Sequence, residues 1–382
     1  MVTQFPIERF RDIRTPFYYY DINLLQATLA SVNKAADAPA FRVHYAVKAN
    51  VNPVILREIL SAGFGADTVS GGEIKAALEA GFKAENIVFA GVGKSDEEIE
   101  YALREGIGCF NVESEAELEV IEEIAKRESK CAVVALRVNP NIDAHTHHYI
   151  TTGLTENKFG IDMALLAPLI KRCVESPYIH FKGLHFHIGS QITDLEPYKI
   201  LCERINDLIN EYEAQGIEFE SINVGGGLGI DYDSPDENPI PDFNAYFDVF
   251  KKYLKVRPGQ EVHFELGRSI VAQCGSLITK VLYVKNGLSK RFVIVDGGFT
   301  DLIRPALYQA HHKIENITSE SDNIETYDVV GPICESSDCF GVDEKLKETH
   351  RGDLIALRSA GAYGEIMASQ YNCRSLPASY FG

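Results

Sequence analysis

Through residue 268 the hydrophobic and polar positions follow one repeated order: a short apolar run, a turn, then apolar residues at a 3.6-residue period. The clearest stretch runs through Ser70, Ser95 and Ser114, each followed three residues later by a glutamate, Glu73, Glu98 and Glu117. That spacing predicts capping boxes, in which hydroxyl and carboxylate satisfy the backbone donors left exposed where a helix starts. Each opens an apolar stripe: Ile74/Ala77/Leu78, Ile99/Ala102/Leu103 and Leu118/Ile121/Ala125. Upstream, Val43–Val47 is a strand candidate, ahead of a helix over Pro53–Leu60 that stops near Gly63. Downstream, strands are predicted at Cys131–Val138, Ile179–Ile188, Ile222–Val224 and Val262–Glu265, with helices near 163–175, 198–212 and 242–255.

Eight strands are predicted, ending near 47, 69, 90, 112, 138, 188, 224 and 265. Eight β/α units in about 240 residues predict an α/β fold, a TIM (β/α)8 barrel over 23–268 with its active site at the strand C-termini. A doubly wound parallel sheet is the structural competitor. After residue 270 the pattern changes to short alternating strands separated by Gly, Asn and Asp: Leu277–Val284, Phe292–Val295, Thr326–Val330 and Asp353–Leu357. These predict a β-rich domain over 269–382, joined by residues 1–22 through an aromatic strand near 17–20.

Composition acts mainly by exclusion. A net charge of −18 argues against nucleic acid or an anionic membrane surface as partner. Hydrophobic residues at 45% and charged residues at 24% are ordinary for a soluble globular enzyme. No apolar run approaches ~20 residues, so no membrane-spanning helix is expected. Met1–Pro6 lacks the basic-then-apolar pattern of a secretory signal. The eight cysteines show no CxxC spacing, the nearest pair being Cys334 and Cys339, so reduced thiols and a cytoplasmic location are expected.

Chemistry gathers at the predicted strand ends. Lys48 closes the first barrel strand. At a barrel mouth desolvation favours the neutral amine, which can attack a carbonyl to form a Schiff base. The ordinary alternative is a lysine that snorkels to water. His185 and His187 share one strand face and suit a metal pair, packed core histidines, or a flat surface for an aromatic cofactor. Gly225–Gly229 follow the seventh strand, where TIM barrels commonly hold phosphate on backbone N–H groups, though glycines there also make ordinary tight turns. Glu265 closes the eighth strand, either as an ion pair with Arg268 or as a carboxylate facing a pyridine nitrogen. Arg304, Cys334, Glu335 and Tyr363 read singly as surface or packing residues, and His145, His147, His148, His311 and His312 show no ligand spacing.

Taken in order, Tyr45–Asn50, Lys158–Gly160, His187–Gln191, Gly225–Gly229, Glu265–Arg268, Arg304–Tyr308, Cys334–Ser336 and Tyr363 carry a resemblance over nearly the whole chain. The set resembles the alanine-racemase-like family of pyridoxal-phosphate decarboxylases, the diaminopimelate decarboxylases among them. The resemblance implies pyridoxal 5'-phosphate as cofactor, no metal, and catalytic roles for Lys48, His187 and Cys334. Lys48 would carry the cofactor, His187 would stack on its ring, and Glu265 would pair with the pyridine nitrogen. Ser190, Gly226, Gly227, Gly267, the Arg268 backbone and Tyr363 would surround the phosphate or its neighbourhood, with Asp67 and Arg137 behind them. A homodimer with shared active sites is implied, Cys334 and Glu335 entering from the neighbouring chain.

The implied reaction is decarboxylation of meso-2,6-diaminopimelate to L-lysine and carbon dioxide, the last step of lysine biosynthesis. Arg268 and Arg304, with Tyr308 and Tyr363, would bind the substrate's far carboxylate, and Glu335 its far ammonium. Ornithine or lysine would instead leave an arginine facing an ammonium. The alternatives are a decarboxylase for another basic amino acid or carboxynorspermidine, and a metal-dependent TIM-barrel hydrolase using His185 and His187. The chain departs from the family pattern at Leu266, commonly proline, and at Gly297–Thr300, commonly Ala-Gly-Met-Asn. It departs again at its short C-terminus, 376–382, which puts the last strand of the β-rich domain in doubt.

Overall fold

The computed structural model describes residues 5–142 and 158–382; His145, His147 and His148 lie outside them. The chain divides into two compact units, one of Leu29–Gly229 with Asp242–Gly267, the other of Met1–Thr28, Ile230–Pro241 and Arg268–Gly382. The segment 230–241, assigned to the barrel on sequence, thus groups with the β-rich unit.

Strand β1 (Phe17–Tyr20) belongs to the β-rich unit. The barrel is built from β2 (Phe41–Ala46), β3 (Gly65–Thr68), β4 (Ile87–Phe89), β5 (Cys109–Val112), β6 (Ala132–Arg137), β7 (Ile179–His185), β8 (Ser221–Gly226) and β9 (Glu261–Leu266). All eight predicted strands are present, the largest displacement of an end being 188 against His185. The strands are parallel and follow sequence order, and β9 closes on β2 from Phe41↔Val262 to Tyr45↔Leu266. That closure excludes the doubly wound sheet.

Alternation along β9 explains what fills the barrel. Phe264 packs outward on Phe247 and Phe250 of helix Phe243–Tyr253, at ring distances of 4.8 and 5.0 Å. Successive strand side chains point to opposite faces, so Glu261, His263 and Glu265 point inward. Barrel interiors are ordinarily filled by branched apolar residues; this one carries polar side chains down its axis.

The serine-started helices set the rim. Ser95 and Glu98 form a complete capping box. Ser70 and Ser114 cap their helices through the hydroxyl, but Glu73 and Glu117 reach one residue further back, to the N–H groups of Val69 and Glu113. Buried Lys94 explains part of this, since its Nζ donates to Glu117 Oε1 at 2.6 Å.

In the β-rich unit the strands are β10 (Gly275–Asn286), β11 (Arg291–Val295), β12 (Ile314–Asn316), β13 (Ile324–Val330), β14 (Cys339–Lys347), β15 (Leu354–Leu357) and β16 (Ala378–Phe381). Their order is β12-β15-β10-β11-β13-β14, and β1 joins by pairing antiparallel with β10 and parallel with β16. The divergent C-terminus therefore still supplies a strand, with Tyr380 packed edge-on against Phe17 at 5.3 Å. Among the described residues no helix is long and apolar enough to cross a membrane.

Candidate active site

Lys48 lies in the 3-10 turn Val47–Ala49 that ends β2. Its Nζ donates to Asp67 Oδ2, at the end of β3, across 2.8 Å. The Lys48 side chain is 37% exposed while that of Asp67 is fully buried. The amine is thus charge-paired with a buried carboxylate at the barrel mouth. Burial, then the nearby Glu265, push the Asp67 carboxyl up to about 6 against the opposing pull of Lys48.

Glu265 is buried inside the barrel at the end of β9. Asn223 and Asn111 donate to its Oε1 at 2.7 and 3.2 Å, and His185 Nε2 lies 3.3 Å from Oε2. Burial alone would raise its pKa, but His185, Lys48 and His187 outweigh that and hold it well below the usual carboxylate range. Glu265 is therefore an anion in the interior, satisfied by three groups. The two asparagines were missed on sequence. Their signal was a polar amide in the middle of the otherwise apolar strands Cys109–Val112 and Ser221–Gly226.

His187 accepts from the Gly226 N–H through Nδ1 at 3.3 Å. Burial, followed by Arg137 and Lys48, brings it down to about 3, so the ring is neutral at physiological pH. His185 and His187 are thus engaged separately, and among the described residues no group of three or more His, Cys, Asp or Glu is placed to hold a metal ion. Gly225 and Gly227 adopt φ of +70° and +102°, and a Cβ at Gly227 would fall 2.4 Å from the Gly189 carbonyl, beside Ser190. The loops after β7 and β8 thus approach closely at Gly189 and Gly227, with the His187 ring and the Tyr198 hydroxyl bonded to Gly226. A Cβ on Gly267 would lie 3.0 Å from that of Ala46 and 3.2 Å from that of Ala49, the residues bracketing Lys48.

Behind the mouth, Arg137 Nη1 donates to Glu113 Oε1 at 2.6 Å, and Glu113 also accepts from the N–H groups of Gly91 and Gly160. Arg137 stands 4.8 Å over the Phe159 ring. The Lys158–Gly160 motif thus supplies an aromatic face and a backbone donor that tie it to this pair.

In the β-rich unit, Arg268 and Arg304 are both buried. Arg268 Nη1 donates to the Tyr232 hydroxyl at 2.7 Å and lies 5.0 Å over the Tyr363 ring. Arg304, at the start of helix Arg304–Tyr308, lies 5.0 Å over the other aromatic, Tyr232, and donates through Nη1 to His312 Nε2 at 2.7 Å. Burial, and Arg268 among its neighbours, lower the Arg304 pKa. Tyr308 ends the same helix and acts electrostatically on Arg268. Tyr363 holds a left-handed backbone, φ +56°. Tyr232, from the 230–241 segment, had no signal in the sequence, and His312 was seen only as a histidine without ligand spacing.

Cys334 and Glu335 are exposed. Their loop is held by Asp338, whose carboxylate accepts from the N–H groups of Phe299 and Ile333 at 2.7 Å each. Tyr371 donates to Glu335 Oε1 at 2.6 Å while stacking on Phe299. The Gly297–Thr300 departure thus has a local role, because Phe299 supplies the ring that braces Tyr371.

Residues 24–272 match the family described as "Pyridoxal-dependent decarboxylase, pyridoxal binding domain". The chain is 60% identical over 377 residues to the diaminopimelate decarboxylase of Bacteroides thetaiotaomicron, covering 98% of this chain and 97% of that one. It superposes on diaminopimelate decarboxylase from Helicobacter pylori complexed with L-lysine with a TM-score of 0.93 at 43% identity, covering 98% of this chain and 93% of that one. For diaminopimelate decarboxylase from M. jannaschii in co-complex with L-lysine the TM-score is 0.90 at 36% identity, covering 98% and 89%. With its closed parallel barrel, its lysine at the end of the first barrel strand and its buried glutamate at the end of the last, this chain belongs to the pyridoxal-dependent decarboxylase family, in the diaminopimelate decarboxylase branch.

Proposed function

We propose that this chain uses pyridoxal 5'-phosphate to decarboxylate meso-2,6-diaminopimelate to L-lysine, as a cytoplasmic homodimer completing lysine biosynthesis. The barrel mouth fits the cofactor by the chemistry of its groups. It offers an amine at Lys48, a buried anion at Glu265, a neutral flat ring at His187 and side-chain-free backbone at Gly225–Gly227. When bound, pyridoxal phosphate supplies an electrophilic aldehyde and a sink for the electron pair left as carbon dioxide departs.

The protein's own groups divide the remaining work. Lys48 Nζ would hold the cofactor's aldehyde carbon, with Asp67 the acceptor beside the amine. Glu265, anionic and fixed by three donors, would favour the protonated form of a pyridine nitrogen. His187 would offer the ring a flat neutral face, and Ser190, Gly226, Gly227, Gly267 and Tyr363 would hold the phosphate. Arg268 and Arg304 take the far carboxylate, assisted by Tyr308. The partner subunit's Glu335 would take the far ammonium, and the partner subunit's Cys334, or Lys48, would return a proton to the α-carbon.

The single observation carrying the substrate choice is the pair of buried arginines about Tyr232. Two buried guanidinium groups suit a carboxylate and repel the second ammonium of a diamine precursor. The test compares carbon dioxide release from meso-diaminopimelate, ornithine, lysine, arginine and carboxynorspermidine. Preference for diaminopimelate is expected; preference for any other substrate replaces this reading with that of a related decarboxylase.

A further inference from the structure

The cluster around Arg304 contains a fully buried histidine to which nothing above assigns a task. His312 Nε2 lies 2.7 Å from Arg304 Nη1, and its Nδ1 lies 2.9 Å from the Arg358 carbonyl oxygen. An arginine can only donate and a carbonyl can only accept. The contacts therefore leave one tautomer: Nδ1–H donates to the Arg358 carbonyl and Nε2 accepts from Arg304. Burial, with Arg304 beside it, brings His312 down to about 3, so the acceptor nitrogen stays unprotonated at working pH.

The carbonyl end of this relay is itself anchored. The Arg358 side chain, also buried, donates to Asp236 Oδ1 at 2.8 Å and to Glu315 Oε2 at 2.6 Å. The Tyr232 ring closes the other side, meeting the His312 ring edge-on at 5.2 Å while lying under Arg304. One Arg304 nitrogen is thus held by a fixed acceptor, which, with the Tyr232 side chain beside it, sets the direction of the guanidinium.

We infer that His312, as a neutral Nδ1–H tautomer bridging the Arg358 carbonyl and Arg304, is the positioning residue that aims Arg304 at the substrate's far carboxylate. The inference rests on the proposed function for the identity of that carboxylate, but its geometry does not. His312 touches no reacting atom, so its loss weakens substrate binding and leaves the chemical step nearly intact.

The experiment has two arms on the cofactor-loaded full chain. In the first, His312→Phe keeps a flat ring without the acceptor, and His312→Gln can restore acceptor and donor. His312→Phe is expected to raise KM for meso-diaminopimelate about 10- to 100-fold with kcat within a few-fold, the loss of one hydrogen bond to a charged group, and His312→Gln to recover most of it. KM unchanged in His312→Phe, or His312→Gln no better than His312→Phe, overturns the inference. In the second arm, nitrogen-15 NMR of histidine-labelled wild type, assigned by His312→Gln, reads the tautomer without any substrate. A protonated Nδ1 with an acceptor Nε2 that shifts in Arg304→Ala is expected, and a protonated Nε2 overturns the inference. Wild type inactive on meso-diaminopimelate but showing the expected tautomer and Arg304 shift sinks the substrate reading and retains the His312–Arg304 pairing.

Discussion

Charge at single residues decides the chemistry this protein can support. Asp67 is a buried carboxylate paired with the Lys48 amine, and burial pushes its pKa from 3.8 up to about 6. Falling pH therefore protonates Asp67 through about 6 and removes the counter-charge from Lys48. The acid limb of kcat/KM is expected near that pH in wild type and absent from Asp67→Asn, which runs at a lower plateau; a limb surviving in Asp67→Asn assigns it to another group. The same raised pKa makes Asp67 favour folding more as pH drops from about 6 toward 3.8, since the native state then binds a proton that the unfolded chain binds less tightly. Arg304 is a second point of control. Its replacement by alanine is expected to raise KM for diaminopimelate roughly 100-fold, with a smaller effect on kcat, because a charge-assisted pair is lost far from the bond that breaks. Steady-state kinetics on both variants checks this, and an unchanged KM removes Arg304 from the binding set.

At the scale of elements, the rim of the barrel is stitched by carboxylates that cap one helix and reach another segment. Glu98 accepts from the Ser95 N–H within its own capping box at 3.0 Å and from Gly71 N–H, the start of the preceding helix, at 2.7 Å. Glu98→Ala strands both donors and is expected to cost about 2 kcal/mol. Ser95→Ala, which removes one cap, should cost about 1 kcal/mol. Thermal or denaturant unfolding would compare them, and equal losses would deny Glu98 its second contact. Period and capping chemistry make these helices legible in the sequence, and the barrel strands likewise, because both depend on local pattern. The partners of Glu265 were less legible, since Asn111, His185 and Asn223 come from three different strands and meet only when the barrel closes. Strand β14 escaped notice for another reason: Gly341 and the charged run Asp343–Lys345 interrupt its alternation, with Asp343 at φ +56°. Tyr232 stood in a loop, where no periodicity marks a side chain that two arginines enclose.

At the scale of the whole molecule, the exposed Cys334–Glu335 turn and Lys48 provide a direct test of the proposed shared site. If each site takes Lys48 from one chain and Cys334 from the other, a dimer mixing Lys48→Ala with Cys334→Ala contains one intact site. Mixing the two weakly active variants under conditions of subunit exchange should then restore about a quarter of wild-type activity, half the dimers being hybrids with one of two sites intact. No recovery, with exchange verified by mass, would place both residues of a site in one chain. Borohydride treatment of the parent proteins should fix a pyridoxyl mass at Lys48 in Cys334→Ala and none in Lys48→Ala.

The close approach at Gly267 makes an ordinary-looking backbone position a lever on that covalent loading. Its missing methyl lets the end of β9 rest against Ala46 and Ala49, so the strand that carries Glu265 and the turn that carries Lys48 pack directly together. A single added carbon at 267 would press on both alanines, so Gly267→Ala is expected to disturb the Lys48 turn without changing any ionisable side chain.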